Sequence, residues 1–251
     1  MIFTINHNDY KLNIAWNTVT LDDAVKLTNI ELDEAKLMPL LDGKFTTDPE
    51  ELNYIRQTLS VLSDCPAEVF EQTDSDSLVV MFDIVRYMIK QLYLMNIEEF
   101  QVQGMTELTF KGKTYYMPDT LMLNQQPILM SKEPSKNVVE AMDVMRNISD
   151  MRSKGVDQMR YICAIYLKEK RGEAYDPEAI ARRAALFGEL PMHVVWEVFF
   201  FTYWHTNKFM IDTNLRCFEK VGAAKKVLHL IRGFFLFLKL RWLARFAKQK
   251  K

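Results

Sequence analysis

The sequence predicts a mainly α protein of the α+β kind: a multi-helix body carrying two short β-hairpins. Three observations predict it. Apolar residues recur at helical spacing in most of the chain, and several of these runs open on a capping residue. Glycine supplies only 8 of 251 residues, which leaves little room for glycine-rich phosphate loops. Strict alternation of apolar and polar residues is confined to two short stretches.

The first of these is Phe3-Thr4-Ile5 followed by Tyr10-Lys11-Leu12-Asn13-Ile14, with His7-Asn8-Asp9 as turn chemistry. After Trp16, the run Thr20-Leu21-Asp22-Asp23 has the form of a capping box, with Asp in the place of the usual Glu, and opens a helix that Leu21, Ala24, Val25 and Leu27-Thr28 continue. A second helical patch covers residues 32–41 and ends before Asp42-Gly43. Asp48-Pro49-Glu50-Glu51 starts a third, with Leu52, Ile55, Leu59 and Leu62 on one stripe, broken at Cys65-Pro66. One short turn over 66–70 follows. Asp74 to Ser77 then cap a longer helix whose core face is Leu78, Met81, Phe82, Val85, Ile89 and Leu92.

The second hairpin is Leu108-Thr109-Phe110, Lys111-Gly112-Lys113, Tyr115-Tyr116-Met117. It resembles the first at an offset of 105 residues, Tyr10 falling on Tyr115 and Leu12 on Met117, and each is followed by a Thr-Leu pair, Thr20-Leu21 and Thr120-Leu121. Three readings stand: a weak duplication, two hairpins that pair into one small antiparallel sheet, or a chance likeness. Mutual pairing is physically sensible because a lone two-stranded hairpin is marginal in water.

Residues 127–134 read as a connection between halves, before a helix marked by Val138, Met142, Met145 and Ile148. A helix from about 155 to 170 has Tyr161, Ile162, Ile165 and Tyr166 at helical spacing, cations in its last turn and Gly172 as its stop. Asp176-Pro177-Glu178 starts the next, which Gly188 ends. Leu190-Pro191 restarts the chain as a helix apolar nearly all round, with Glu197 as its one acid. Asp212-Thr213 caps a short helix to Val221. These elements divide the chain into residues 1–130, a helical half over 131–221, and a basic amphipathic C-terminal helix over 222–251.

Charge is uneven. Residues 221–251 hold nine Lys/Arg and no acid, which leaves 23 basic and 33 acidic residues in the remainder, a net of −10. A basic tail on an acidic body implies an acidic partner, a membrane surface, nucleic acid, or the body itself. Three scattered cysteines, Cys65, Cys163 and Cys217, without a Cys-x-x-Cys pair, fit a reducing compartment. Neither a secretory signal nor a membrane-spanning run of ~18 apolar residues is expected.

The residues do not assemble a catalytic constellation, and the expectation is a non-enzymatic protein without metal or cofactor. His193 and Glu197 stand four apart on a helix and could share a face, but no Cys/His cluster accompanies them, and a paired or solvated His–Glu is the stronger reading. Asp74 and Asp76 read as caps, since no calcium-loop spacing follows. Two segments are candidates for partners. The aromatic run Trp196, Phe199, Phe200, Tyr203 and Trp204 is either a core helix or a face for a partner's apolar segment. In the tail, Lys225, Lys226, Arg232, Lys239, Arg241, Arg245 and Lys248 recur among Leu, Phe and Trp242, as in a helix that meets an anionic membrane, DNA or a partner's groove.

Taken together these residues resemble the tail assembly chaperone-type proteins of tailed bacteriophages. The likeness covers most of residues 1–204: the hairpin over 3–14, the Trp-led turn and capped helix over 16–27, the Leu/Ile helix ending at Cys65-Pro66, and Tyr175-Asp176-Pro177-Glu178 through Leu190-Pro191-Met192 with the aromatic helix after it. The basic tail lies outside the resemblance. The resemblance implies a cytoplasmic, non-enzymatic chaperone that holds an apolar helix of a tape measure-like tail protein during virion morphogenesis, alone or as a homo-oligomer. Fifteen methionines suit adaptable apolar contacts or ordinary core filling. The runner-up is a structural virion protein whose basic tail contacts DNA or a neighbouring subunit; a third reading is a membrane-surface factor acting through the C-terminal helix.

Overall fold

A computed structural model of the chain describes residues 1–94, 104–118, 120–123, 126–129, 135–147 and 154–203. Two compact units divide the chain, Met1–His205 and Thr206–Lys251; the second lies outside the described residues. The halves expected on either side of residue 130 therefore belong to one unit.

The fold is mainly helical with small antiparallel hairpins. Its start signals work as read. Thr20 caps α1 (Leu21–Thr28) by accepting from Asp23 N–H while the Asp23 carboxylate accepts from Thr20 N–H, the reciprocal box. Asp33 caps α2 (Glu34–Leu41), and Asp48 caps α3 (Pro49–Leu62) with proline in its first turn. α4 (Ala67–Glu71) is the expected short turn. Asp74 accepts from the Ser77 amide and hydroxyl at the start of α5 (Ser75–Leu94), whose expected core row is buried.

The two hairpins expected from the sequence each turn on two consecutive residues with positive φ, the combination a type I′ turn needs. In β1 (Ile2–Ile5) and β2 (Asn8–Lys11) these are Asn6 and His7, so Asn8 and Asp9 belong to the strand rather than the turn. Asp9 instead accepts from Thr4 Oγ1 across the ladder at 2.6 Å. In β3 (Glu107–Phe110) and β4 (Lys113–Tyr116) they are Lys111 and Gly112.

The two hairpins do not pair with each other. Each docks on the chain just beyond the end of a helix. Leu12 bridges Ser63 past α3, with Asn13 N donating to Leu62 O and Asp64 N to Lys11 O. Tyr116 bridges Lys168 past α7 (Lys154–Tyr166), exchanging both backbone hydrogen bonds at 2.7 and 3.0 Å. Ser63 and Lys168 stand 105 residues apart, the same offset as Tyr10 and Tyr115. Rings reinforce both docks: Phe3 stacks on Phe70, and Phe110 and Tyr115 meet Phe187 edge-on. This supplies the burial a lone hairpin lacks. It also corrects the helix expected to reach residue 170. α7 stops at Tyr166 because Lys168 is drawn into the bridge and buried, and Gly172 makes its positive-φ turn beyond the helix rather than at its end.

A further hairpin, β5 (Thr120–Leu123) with β6 (Gln126–Leu129), takes in the Thr120-Leu121 pair and the first residues of the connection expected over 127–134. Leu121, Met122 and Leu123 carry no helical stripe, and extended pairing satisfies their backbone instead. α6 (Ser135–Asn147) follows; Ile148 lies outside the described residues.

α1 is the hub. It packs on α3, which also meets α2, α4 and α5, and on α7, which meets α6 and α8 (Pro177–Leu186). Asp176 caps α8 by accepting from Glu178 and Ala179 amides. A 3-10 turn over Phe187–Glu189 leads to Pro191 and to α9 over residues 192–203. The loop before α1 is zipped to this restart: Leu21 N donates to Leu190 O, Met192 N to Val19 O and His193 N to Trp16 O. Asp22 on α1 accepts from Arg160 Nη2 of α7 at 3.0 Å.

Gly188 lies against that pair. A β-carbon there would fall well inside contact distance of both Asp22 carboxylate oxygens. Gly188→Ala is expected to cost about 1–3 kcal/mol through overpacking, read as a lower urea midpoint with unchanged slope. Asp22→Ala in the same chain should recover part of the loss; a single mutant as stable as wild type would show that the approach is not tight.

Candidate functional site

α9 carries the aromatic run. Trp196, Phe199 and Phe200 are only 5%, 3% and 3% exposed. Trp196 stacks on Phe200 at 5.7 Å and meets Phe199 and Trp16 edge-on at 6.2 and 6.3 Å, and Phe201 meets Tyr166 at 5.5 Å. These side chains are core, because a helix apolar all round has no face to leave in water, and none is a free surface in this state. Tyr203 is half-buried; Trp204 and every basic tail residue from Lys225 to Lys248 lie outside the described residues.

Glu197 does not pair His193 across a shared surface. His193 is exposed, whereas Glu197 is buried and accepts from the amides of Gly104 and Met105 at 2.7 and 3.1 Å. It ties α9 to the segment that leads into β3. No group of His, Cys, Asp and Glu among the described residues could hold a metal ion. Burial pushes the Cys163 thiol well above its ordinary range.

A half-open cavity of about 560 Å³ sits by the end of α1, lined by Asn29, Glu31, Asp33, Glu50, Asn53 and Tyr93 among others. Two of its acids, Asp33 and Glu50, serve the fold. Asp33 caps α2, and Lys36 donates to Glu50 at 2.6 Å and to Asp48 at 2.8 Å. Those bonds raise the Lys36 pKa, and the Lys36 bond holds the Asp48 carboxyl below its usual range.

Among the described residues, the outer side of α5 carries three exposed apolar side chains in one row. Val80, Ile84 and Tyr87 are 64%, 42% and 61% exposed. With Gln91 they follow a 4-3-4 spacing, the a/d seam of a coiled coil rather than the wider stripe of a core helix. The inner rows, Leu78, Phe82, Val85, Ile89 and Leu92, are spent on the core. Met81 and Met88 line one side of the seam; Asp76, Asp83 and Lys90 line the other. Asp83 pairs with Arg86, and Lys90 with Asp42 at 2.6 Å. At the far end Trp16 Nε1 donates to Gln91 Oε1 at 3.1 Å, so the half-buried indole prolongs the apolar track. Nothing in the sequence reading pointed to Val80, Ile84 and Tyr87. Their spacing was legible, but α5 is apolar on several rows and only packing shows which row stays in water.

No helix among the described residues is long and apolar enough to cross a membrane. No protein-family profile, curated protein or solved structure matches the chain.

Proposed function

We propose that this chain is a non-enzymatic assembly chaperone of a tailed bacteriophage, which holds apolar helical segments of a tape measure-like tail protein in the host cytoplasm during virion morphogenesis. The observation that carries the reading is the exposed apolar track on α5, with Val80 and Tyr87 each more than half in water on a helix whose other rows already fill a core. Isolated surface apolar residues are ordinary, but a row at helical spacing is the form in which one helix offers itself to another. The sealed aromatics of α9 serve this role indirectly, by fixing Trp16 at the end of the track. Co-expression with a long coiled-coil protein of the tape measure type is the test: that protein's soluble fraction should rise several-fold, and an unchanged fraction refutes the reading.

A second reading, a structural virion component, is favoured by the nine cations and no acid of residues 221–251, which suit DNA or an acidic neighbouring subunit. Stoichiometric recovery of the protein in purified particles would support it over a chaperone that leaves before completion.

A further inference from the structure

Resting on the chaperone reading, we infer that the α5 seam takes one particular occupant: a single amphipathic helix of a different protein, apolar at a and d positions and basic in its flanks. Three observations select it. The 4-3-4 spacing of Val80, Ile84, Tyr87 and Gln91 matches the ridge of another helix laid alongside at a shallow angle, not a strand or a compact ligand. The exposed parts of Val80, Ile84 and Tyr87 offer on the order of 300 Å², well short of the ~800 Å² per partner that a stable complex buries, so a second copy meeting seam to seam is not held by it. A longer helix gains the rest by running past Gln91 onto the half-buried Trp16.

The charge choice follows from the flank. Arg86 is paired with Asp83 and Lys90 with Asp42, so both cations beside the seam are neutralised by this chain. At the Val80 end the exposed acids Glu68, Glu71, Asp74 and Asp76 gather around the start of α5, against Arg56, whose Nε donates to Phe70 O at 3.3 Å. A bound helix therefore meets net negative potential there, and Lys or Arg in its flank is favoured over Glu.

The probes are 28-residue synthetic peptides of four heptads with Leu at a and d: one with Lys in the flanking positions, one with Glu, and one scrambled. Binding to the full chain is read by fluorescence anisotropy. The Lys-flanked peptide should bind tightest, its advantage over the Glu-flanked peptide shrinking as salt rises. Val80→Ser/Ile84→Ser/Tyr87→Ser should weaken it at least tenfold without changing the helical circular dichroism, because all three side chains are exposed. Val139→Ser/Leu186→Ser, which alters exposed apolar residues on α6 and α8, should leave binding unchanged. Equal binding by the triple variant overturns the seam while leaving the chaperone reading to its co-expression test; a seam that binds in a chain failing that test separates the two the other way. A Glu-flanked preference overturns the assignment. So does a peptide of residues 224–251 that outcompetes the Lys-flanked one. So does a wild-type dimer in sedimentation velocity that the triple variant loses.

Discussion

Replacing Trp196 and Phe200 together by Ala is expected to unfold the body rather than yield a folded protein that has lost a partner. Each truncation of a buried large aromatic costs about 3–5 kcal/mol, and the two rings stack on each other and both meet Phe199 edge-on, so the losses couple. Their sum approaches the whole stability of a typical domain, about 5–15 kcal/mol. The double mutant should lose its cooperative thermal transition, and each single mutant should unfold at markedly lower urea. A double mutant with a near-native midpoint would mean that α9 is not core. The Ser substitutions on α5 should instead leave the midpoint in place, so the pair of experiments separates sealed aromatic surface from offered surface.

That contrast shows where the sequence was informative. Caps announced themselves because they are local chemistry: Thr20 with Asp23, Asp48 before Pro49, and Asp176 before Pro177 each complete their bonds within three residues. The buried row of α5 was legible for the same reason, its periodicity lying within one helix. What could not be read was backbone pairing over long distances. Nothing near Lys168 says that Tyr116 will claim it, and nothing near Glu197 says that its carboxylate will be used by two amides at Gly104 and Met105. The hairpins are legible but their docking partners are not, and mutual pairing stays one of three open readings, because a hairpin's need for burial does not name its source. The outer seam escaped because a helix with several apolar rows gives no local sign of which row the neighbours cover.

The second large effect is expected at Arg183. The residue is 4% exposed, its side chain donating Nε to Ala164 O at 3.0 Å and Nη1 to Glu173 at 2.6 Å. It thus fastens α8 to the carbonyl end of α7, where a cation also suits the helix dipole. Arg183→Met should cost about 3 kcal/mol, because it strands the Ala164 carbonyl and takes the cation from Glu173, which keeps the Glu169 amide. Lys should rescue poorly, since a point charge cannot reach both acceptors from the planar fork's position. Arg183→Met with Glu173→Leu should recover most of the loss, since removing both partners leaves no uncompensated charge. Urea titration of the three variants reads this directly; a double mutant as damaged as the single would place the cost in packing rather than in the pair.

The zip between residues 16–21 and 190–193 has a consequence for synthesis. Its bonded amides and carbonyls lie about 170 residues apart in the chain, so at a ribosomal pace of about 5–20 residues per second the early strand waits on the order of ten to thirty seconds for its mate. During that interval the α1 hub has only the partners already made. A nascent chain halted before residue 190 is then expected to be the species that host proteases and folding factors meet, with its Trp16–Leu21 segment open to them.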